Sequence, residues 1–357
     1  MQLYIPTQIY NEPDCVLNHA KEICSYGKKA LIVTGKHSAK TNGSLKDITD
    51  VLGNGHIAYS IFDEIEENPS VETVMKARNF GLQEKVDFVI GIGGGSPLDA
   101  SKAIALMIAN PDQNEDILYD SISLPSLPVI AIPTTCGTGS EVTPYAILTL
   151  HQQRTKKSIS HRIFPKLALL DIKYLKSLPH ETLVNTAVDA LAHLIESYLN
   201  ANTNELNRIY SSEGLRIYNK CKKCLIDRSF SDIDYLSLLN MSMLGGMAIA
   251  HTGTSLPHGL SYAVTYELSV PHGKAVGIFL SSFVKYYPDY NSAKEVLHFM
   301  DFDNIDEFEK HMALLTRTVN IDKSLTDRNI TELLKNPAKL KNYPYPISED
   351  DLRRYFA

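Results

Sequence analysis

Four polar side chains in the second half of the chain have the types and spacing of a divalent-metal site. The segment VDALAHLIES (188–197) places Asp189 and His193 four residues apart, one turn apart on the same face of a helix. The phrase Pro-His-Gly then occurs twice, around His258 and again around His272. One carboxylate and three imidazoles suit Fe²⁺ or Zn²⁺ and leave room for a substrate oxygen.

Parts of this set also have simpler interpretations. Taken alone, Asp189 and His193 are better explained by a hydrogen bond inside the core, because a buried carboxylate needs a partner. His161, His180 and His251 compete as ligands, but we expect each of them in a loop or on the surface. The combination with the two Pro-His-Gly phrases is what favours a metal.

A glycine-rich loop in the first half has the character of a phosphate-binding turn. The stretch GIGGGSPLDASKAIA (91–105) follows an apolar run and leads into a helical pattern. Glycine lets the backbone approach an anion, and the start of a helix presents free N–H groups and a positive dipole. We expect Ser96 to cap that helix and Pro97 to lie in its first turn. The glycines match neither the Rossmann nor the Walker pattern, so a tight structural turn is the alternative.

A second polar loop, IPTTCGTGSEVTPYAIL (132–148), follows the next apolar run. Its hydroxyls and backbone N–H groups come from Thr134, Thr135, Thr138 and Ser140. A long polar loop is uncommon in a compact domain unless it is functional. This length therefore favours a binding loop over a passive connection.

The pattern of apolar runs predicts an α/β first half and a helical second half. Four runs predict buried strands: ALIVTG (30–35), VDFVIGIGGG (86–95), LPVIAIPTT (127–135) and LALLD (167–171). Helical spacing between the first three predicts a parallel sheet covered on both faces, with ligands at the carboxyl ends of the strands. After residue 175 long helical segments follow, the first beginning near Pro179, and strand signals are few.

Composition and charge exclude several classes of function. The chain has 357 residues, 44% of them hydrophobic, which is enough for two domains. No apolar run approaches about 18 residues and no secretory pattern is visible, so we expect no transmembrane helix and a cytoplasmic location. A net charge of −6 without a basic patch does not fit nucleic-acid binding. Five cysteines, including Cys221 and Cys224 in a lone CxxC, fit ordinary thiols better than disulfides or a zinc site.

Taken together and in this order, these motifs resemble those of the iron-containing alcohol dehydrogenases over nearly the whole chain. The resemblance implies a dehydroquinate synthase-like fold, with an α/β dinucleotide-binding domain (1–177) that has a parallel sheet and an all-helical metal-binding domain (178–357). It also implies that Asp189, His193, His258 and His272 bind the metal, which would be Fe²⁺ or alternatively Zn²⁺. A homodimer is expected too, paired through an exposed N-terminal strand such as MQLYIP.

The resemblance also assigns residues of the first half to the cofactor. The glycine loop would bind the pyrophosphate, and the second polar loop would line the cofactor. The residues concerned are Gly94, Gly95, Ser96, Asp99, Thr134, Thr135, Thr138 and Ser140. Asp99 would lie near the nicotinamide end, and Asn68 with Pro69 near the adenine-side ribose. Lys157 matches a lysine that reaches the cofactor, and Tyr145 is assigned to the same site.

One departure from the family pattern concerns the substrate. Many members have a further histidine ten residues before the last ligand, where this chain has Tyr262. A phenol can orient a substrate or pass a proton, but without the near-neutral pKa of an imidazole. Tyr262 is therefore the candidate catalytic residue, with its part in a proton relay open.

A second departure concerns the choice of cofactor. Members that prefer NAD often have Asp at the end of the first strand, where this chain has Gly35, followed by Lys36, Ser38 and Lys40. A carboxylate would repel a 2′-phosphate, whereas lysines and a hydroxyl can bind it. We therefore expect NADP(H) in preference to NAD(H), with a simple basic turn as the alternative.

These assignments predict a metal-dependent alcohol dehydrogenase or aldehyde reductase. It would transfer a hydride between NADP(H) and a small alcohol or carbonyl compound, with the metal polarising the substrate oxygen. Two other enzymes stay open: a zinc polyol (glycerol-type) dehydrogenase, and a metal-dependent lyase or synthase of the dehydroquinate synthase type acting on a sugar phosphate. A third alternative is a non-enzymatic nucleotide-binding or structural protein.

Overall fold

The computed structural model describes residues 3–153, 155–317, 319–335 and 340–356, and the chain divides into two compact units. The α/β unit consists of Ile5–Thr135 and Gly139–Leu178, and the helical unit mainly of Pro179–Ala357 with Cys136–Thr138. The predicted fold class, an α/β first half with a parallel sheet and a helical second half, is confirmed. The predicted domain boundary between residues 177 and 178 stays a prediction.

Six parallel strands form the sheet of the α/β unit, and two more form an antiparallel hairpin. The strands are β1 Gln8–Asn11, β2 Lys29–Thr34, β3 Ala58–Phe62, β4 Phe88–Gly93, β5 Val129–Pro133, β6 Ile147–Leu150, β7 Thr155–Ser158 and β8 Leu167–Leu170. The order across the sheet is β1-β8-β5-β4-β2-β3, and β6 pairs with β7. The four predicted strands are β2, β4, β5 and β8, which occupy the interior positions of the sheet.

The interior strands are apolar throughout because both faces of the sheet are covered. Along β2, Leu31 and Val33 belong to the core on one face, whereas Ala30 and Ile32 belong to the core on the other. All four side chains are fully buried. Neighbouring residues of a strand point to opposite faces, so a strand covered on both sides has no polar face.

Helices cover both faces of this sheet. They are α1 Cys15–Asn18, α2 Ala20–Cys24, α3 Ser38–Thr41, α4 Ser44–Asn54, α5 Val71–Glu84 and α6 Gly95–Ala109. Apolar residues of α5 and α6 pack into one core, and those of α1 and α4 pack into the other. α5 begins after Ser70, whose Oγ accepts the backbone N–H of Thr73 at 3.2 Å, a side-chain cap.

The chain reverses its direction across the sheet between β2 and β4. β3 lies outside β2 at one edge, whereas β5 and β8 lie on the other side of β4. In open parallel sheets, ligands bind outside the carboxyl ends of the strands at such a reversal. Gly35 follows β2 and Gly94 follows β4, so these two residues lie at strand ends where this topology favours a ligand.

The described part of the helical unit consists of helices and their connections. They are α7 His180–Tyr198, α8 Glu205–Asp227, α9 Asp232–Thr252, α10 Leu256–Leu268, α11 His272–Gly277, α12 Leu280–Lys285, α13 Tyr290–Phe299, α14 Ile305–Thr316, α15 Lys323–Leu334 and α16 Glu349–Arg353. Capping boxes begin α8, between Asn204 and Asn207, and α9, between Ser231 and Asp234. α7, α8 and α9 pack on one another.

α9 has the length and composition of a membrane-spanning helix. Its most apolar window has a mean hydropathy of 1.3, and 50% of that window is buried inside the protein. α9 packs against α7 and α8. A helix that is apolar all round is also typical of a protein core, and we interpret α9 in that way.

The N-terminal strand begins later than predicted. In the predicted strand MQLYIP, residues 3–6 are not in a strand, and Met1 and Gln2 lie outside the described residues. β1 begins at Gln8 and pairs in parallel with β8 at one edge of the sheet. Pro6 has no backbone N–H to give to a strand ladder, which explains why the strand starts after it.

None of the five cysteines, all of which the structure describes, takes part in a disulfide. Cys221 and Cys224 lie one turn apart on α8, and burial raises the pKa of both thiols. A buried thiol with a raised pKa is unreactive. This agrees with the interpretation of the lone CxxC as two ordinary thiols.

Candidate metal and cofactor sites

Helix α7 carries two of the predicted metal ligands on a buried face. Asp189 is 3% and His193 is 5% exposed, and the apolar residues between them are fully buried. The spacing of four residues brings the two side chains together, with His193 Nε2 3.8 Å from Asp189 Oδ1. The pair therefore lies on one face of the helix, as the sequence predicted, and in low-dielectric surroundings.

The two Pro-His-Gly phrases begin two helices. His258 is the third residue of α10 and follows Pro257, whereas His272 is the first residue of α11 and follows the N-cap Pro271. Proline is favoured at the start of a helix because its φ is already helical and its missing N–H is not needed there. Each phrase thus fixes where a helix begins, and so where its histidine lies.

The glycine after His272 is required by close packing. A Cβ at Gly273 would overlap the backbone carbonyl oxygen of Asn185 and would lie 3.2 Å from Asp189 Cβ. α11 therefore rests directly on the backbone of α7. Gly259, in the first phrase, is less confined, because a Cβ there would meet only Leu333 Cδ1, at 3.2 Å. The second phrase needs its glycine for packing, and the first does not.

Helices α7, α10 and α11 bring the predicted ligands together around Asp189. Asp189 Oδ1 lies 3.4 Å from His258 Nε2 and 3.8 Å from His272 Nε2. One possible ligand atom from each of these three residues lies within 4.8 Å of the others. His193 borders this group, with its ring stacked on that of His258 at a centroid distance of 4.8 Å. We call these four residues the metal group.

The donor atoms of the metal group fit a divalent cation. Asp189 Oδ1 and His258 Nε2 are buried and have no hydrogen-bond partner among the described residues. Unpaired buried polar atoms are costly, and a cation between them would satisfy both. The side chain of His272 is 27% exposed, which leaves one side of the group open to a substrate.

The electrostatics of the metal group also favour a positive charge. Burial alone would raise the pKa of Asp189, but His193, His258 and His272 outweigh burial and hold that pKa well below its usual value. Burial alone would lower the pKa of His258, but Glu196 and Asp189 raise it to about 10. Carboxylates thus favour a cation inside this buried group, and a divalent metal would supply that charge.

Glu196 is a polar residue of this region that the sequence analysis did not identify. It lies on α7, three residues after His193, and is fully buried. Its Oε1 accepts the backbone N–H groups of Ser255, at 3.1 Å, and of His258, at 3.0 Å, and its Oε2 contacts His258 Nδ1. The available signal was a third polar residue on the helical face of Asp189 and His193.

Tyr262 lies beside the metal group. It is one turn after His258 on α10, and its ring is within 16° of parallel to that of His272, with the centroids 6.0 Å apart. The phenol is thus next to the most exposed histidine of the group. Its assignment as a catalytic residue stays a prediction.

The glycine loop begins α6, as predicted, but with a different cap. α6 starts at Gly95 with Gly94 as the N-cap, so the prediction of Ser96 as the capping residue is wrong. A Cβ at Gly94 would lie 3.1 Å from Thr135 Cγ2, which favours a residue without a side chain at the cap. Ser96 Oγ instead accepts the backbone N–H of Asn68 at 3.1 Å. Two predicted cofactor residues are therefore hydrogen-bonded to each other.

Asn68 and the β6–β7 hairpin are also connected. The φ of Asn68 is 59°, in the left-handed region, and Lys156 Nζ donates to its Oδ1 at 2.6 Å. Lys157, the lysine assigned to the cofactor, lies over the ring of Tyr119 at 4.7 Å. Neighbouring residues of a strand face opposite sides, so Lys156 is the lysine beside Asn68. The cofactor role of Lys157 stays a prediction.

Asp99 and Ser140, both predicted to face the cofactor, are hydrogen-bonded to each other. Ser140 Oγ donates to Asp99 Oδ1 at 2.5 Å, and Asp99 Oδ2 accepts the N–H of Ile147 at 2.9 Å. Lys102, which is fully buried, donates to Ser140 Oγ and to the carbonyl oxygen of Tyr145, both at 2.7 Å. This network fastens α6 to the second polar loop, and the sequence analysis did not identify Lys102.

Burial opposes the charges around this network. It lowers the pKa of Lys102 to about 8, against the attraction of Asp99 and Glu141. It also raises the pKa of Asp99 and raises the pKa of Glu141 to about 7. Glu141 Oε1 has no hydrogen-bond partner among the described residues, so a negative charge there is poorly solvated.

We expect Glu141→Gln to remove a pH dependence of stability. Folding raises the pKa of Glu141 from 4.5 to about 7. The folded state therefore binds more protons than the unfolded state in this range, and the wild type loses stability as the pH rises through it. The wild type loses on the order of 3 kcal/mol of its free energy of unfolding in this way. In urea unfolding without cofactor, the free energy of unfolding of the variant should rise relative to that of the wild type between about pH 5 and about pH 8.

Glu115→Gln is the matched control for this prediction, because Glu115 is exposed in the same unit. That variant should follow the wild type across the whole range. A Glu141→Gln variant whose difference from the wild type does not change with pH would contradict the assignment of a buried, protonated carboxyl group.

The basic turn after β2 includes an ion pair. Lys36 and Ser38 are exposed, and Ser38 begins α3. Lys40 Nζ lies 2.6 Å from Oδ2 of Asp63, which directly follows β3. The hydrogen bond from Lys40, with a smaller contribution from Lys36, lowers the pKa of Asp63. One of the cations proposed for a 2′-phosphate is therefore shared with a carboxylate that the sequence analysis did not identify.

The other predicted cofactor residues fall into both units. Thr134 and Thr135 follow β5, and the Thr134 N–H donates to the Gly93 carbonyl at 2.9 Å. Thr138 belongs to the helical unit. The ring of Tyr145 lies under the guanidinium of Arg162, 5.4 Å away.

Sequence comparisons relate the chain to one family along most of its length. Residues 6–172 match the family described as iron-containing alcohol dehydrogenase, and residues 183–341 match the C-terminal part of the Fe-containing alcohol dehydrogenase family. The NADPH-dependent butanol dehydrogenase of Clostridium saccharobutylicum is 26% identical over 329 residues, 90% of this chain and 80% of that protein. The lactaldehyde reductase of Escherichia coli K12 is 29% identical over 271 residues, 75% of this chain and 70% of that protein.

Solved structures give the same relation. An iron-containing alcohol dehydrogenase from Thermotoga maritima superposes with a TM-score of 0.92 at 35% identity, covering 99% of this chain and 98% of that chain. A second iron-containing alcohol dehydrogenase superposes with a TM-score of 0.91 at 34% identity, covering 99% and 97%. The similarity therefore extends over both units of this protein.

Proposed function

Because this chain belongs to the iron-containing alcohol dehydrogenase family, we propose that it transfers a hydride between NADP(H) and a small alcohol or carbonyl compound. The observation that carries the proposal is the clustering of Asp189, His258 and His272, in which Asp189 Oδ1 and His258 Nε2 are buried and have no hydrogen-bond partner among the described residues. His193 completes the proposed ligand set. Fe²⁺ is the proposed metal, and Zn²⁺ suits the same donors.

The chemistry is divided between the bound groups and the chain. When bound, the metal supplies Lewis acidity toward a substrate oxygen, and the nicotinamide supplies or accepts the hydride. The chain holds one carboxylate and three imidazoles in a group that is buried except on the side of His272. Low-dielectric surroundings strengthen the interaction between a cation and an oxygen that gains negative charge. Asp189 is the one carboxylate among the four proposed ligands, so the metal with its ligands would keep a net positive charge, which suits that task.

Tyr262 is the residue that we assign to the substrate. Its ring lies beside His272, on the exposed side of the metal group. An ordinary phenol is protonated at neutral pH, so Tyr262 would donate a hydrogen bond to the substrate oxygen or pass a proton to it.

The cofactor is assigned to the α/β unit, at the reversal of the sheet. The first turn of α6, after the N-cap Gly94, has backbone N–H groups without an intrahelical partner, which would bind the pyrophosphate. Lys36 and Ser38 are exposed in the turn after β2, the strand that neighbours β4, and would bind a 2′-phosphate. Lys40 would contribute to the same site while paired with Asp63. The description of one relative as NADPH-dependent supports this choice.

We expect Gly35→Asp to shift the preference toward NAD(H). A carboxylate there would repel a 2′-phosphate and would accept hydrogen bonds from ribose hydroxyls. The ratio of kcat/KM for NADPH to that for NADH should fall by roughly 10²-fold, since like charges placed next to each other cost several kcal/mol. Steady-state kinetics with both cofactors measure the ratio.

Gly35→Asn is the matched control, because it adds a side chain of the same size without a charge. Any Cβ at this position lies 3.3 Å from the Ile65 carbonyl oxygen, and both variants share that contact. Equal shifts in the two variants would contradict the electrostatic explanation, and a wild type that prefers NADH would contradict the assignment of NADP(H).

Aldehyde reduction by metal-stripped protein tests the proposed function. The protein is supplied again with Fe²⁺ or Zn²⁺ under anaerobic conditions, and NADPH and NADH are compared in parallel. We expect activity to return with metal and to be higher with NADPH. Activity on polyols alone, with Zn²⁺, would favour a glycerol-type dehydrogenase. No reductase activity with any metal or cofactor would overturn the proposal and favour a lyase or synthase acting on phosphorylated sugars.

We further propose a cytoplasmic location and a homodimer. The edge position of β1 in the sheet gives two copies of the chain a place to pair.

A further inference from the structure

A buried carboxylate on α7 holds the start of α10. Ser255 is the N-cap of α10, but its side chain makes no capping hydrogen bond. Glu196 Oε1 instead accepts the N–H groups of Ser255 and His258, at 3.1 and 3.0 Å. A negative charge is stabilising at the positive end of a helix. Glu196 thus takes the place of the missing side-chain cap.

The second oxygen of the same carboxylate fixes the imidazole of His258. Glu196 Oε2 contacts His258 Nδ1. An ionised carboxylate can only accept hydrogen bonds, so His258 Nδ1 is the atom that carries the proton. In a neutral imidazole the other nitrogen then has the lone pair. That nitrogen, Nε2, lies 3.4 Å from Asp189 Oδ1 and has no hydrogen-bond partner among the described residues.

We propose that Glu196 is a positioning residue that fixes His258 in the tautomer able to bind the metal. The inference rests on the proposed function, because it gives the lone pair of Nε2 to a ligand of the metal group. A carboxylate that accepts a hydrogen bond from the ring nitrogen not bound to the metal fixes the orientation of the histidine and raises its basicity. α7 therefore carries one ligand, Asp189, and also the residue that orients a ligand on α10.

Glu196→Gln separates the two roles of this side chain. The Gln Oε1 can still accept the N–H groups of Ser255 and His258, so the start of α10 keeps its cap. The Gln NH₂ group can only donate, and it would favour the His258 tautomer that has its proton on Nε2. That tautomer has no lone pair for the metal.

Co²⁺ binding measures the effect on the metal group. The Kd for Co²⁺, obtained by competition with a chelator and from its visible spectrum, should rise roughly 10- to 100-fold in Glu196→Gln. The thermal unfolding midpoint without added metal should stay close to that of the wild type. Glu295→Gln is the matched control, because Glu295 accepts a hydrogen bond from Tyr198, at 2.6 Å, outside the metal group.

Nitrogen NMR of histidine-labelled protein reports the tautomer directly, with the His258 signal identified by its loss in His258→Gln. Before metal is added, and at a pH high enough for the His258 imidazole to be neutral, the proton should lie on Nδ1 in the wild type and on Nε2 in Glu196→Gln. An unchanged tautomer together with an unchanged Kd for Co²⁺ would overturn the inference. If the wild type binds no Co²⁺, the proposed function fails, and the NMR result still decides whether Glu196 positions His258.

Discussion

Asp189→Asn should purify without iron, and its kcat/KM for aldehyde reduction should be at least about 10³-fold lower, since a Lewis-acid metal supplies several kcal/mol. Asp189 Oδ1 lies 3.4 to 3.8 Å from a nitrogen of each of the three proposed histidine ligands. Asp189 is the only anion among the four proposed ligands. Asn has the same shape but no charge to offset a divalent cation in a buried site. Metal analysis and steady-state kinetics check both parts.

Asp171→Asn is the matched control for this variant. Asp171 is 2% exposed, similar to Asp189, and accepts the N–H groups of Asp14 and Lys173 in the α/β unit, at 2.6 and 2.9 Å. Its replacement removes a buried carboxylate outside the metal group, so this variant should keep its iron. Iron at the wild-type level in Asp189→Asn would contradict the proposed ligand set.

Gly273→Ala should lower the free energy of unfolding by about 3 kcal/mol, the upper part of the range usual for an overpacked site. The added methyl group would overlap the backbone carbonyl of Asn185, and a backbone atom cannot rotate away as a side chain can. α11 would have to move off α7 and carry His272 away from Asp189. We therefore expect Co²⁺ binding to be lost as well. Urea unfolding and Co²⁺ titration measure the two effects.

Gly259→Ala tests whether the effect comes from packing or from the Pro-His-Gly phrase itself. Its methyl group would meet only Leu333 Cδ1, at 3.2 Å, the end of a flexible side chain. Ala also favours a helix over Gly by about 1 kcal/mol. This variant should therefore stay within about 1 kcal/mol of the wild type. Equal destabilisation by the two substitutions would contradict the packing argument.

The interior strands of the sheet could be predicted from the sequence, whereas the edge strands could not. β2, β4, β5 and β8 are buried on both faces and appear as continuous apolar runs. β1 and β3 lie at the edges, and most of their residues are exposed or half-buried. A strand with so little buried surface needs no apolar run, so it has no clear sequence signal.

Some of the proposed ligands could be predicted from local spacing in the sequence, whereas the residues that support them could not. Asp189 and His193 are four apart on one helix, a spacing that can be seen in the sequence. Glu196 and His258 are 62 residues apart, and only the fold brings them together. Asp99 and Lys102 have the spacing of an exposed helical ion pair, but the structure buries Lys102 completely. Burial of that kind depends on the second polar loop and has no local pattern.

The unequal exposure of the metal group bears on how quickly a bound ion is exchanged. Asp189, His193 and His258 are almost inaccessible, whereas the side chain of His272 is 27% exposed and begins a helix of six residues. His272 is the ligand that a chelator reaches most easily, so it would be the first to leave. The residence time of the ion would then depend on how often α11 loosens from α7. Two proteins with equal affinity for iron could therefore lose it at very different rates.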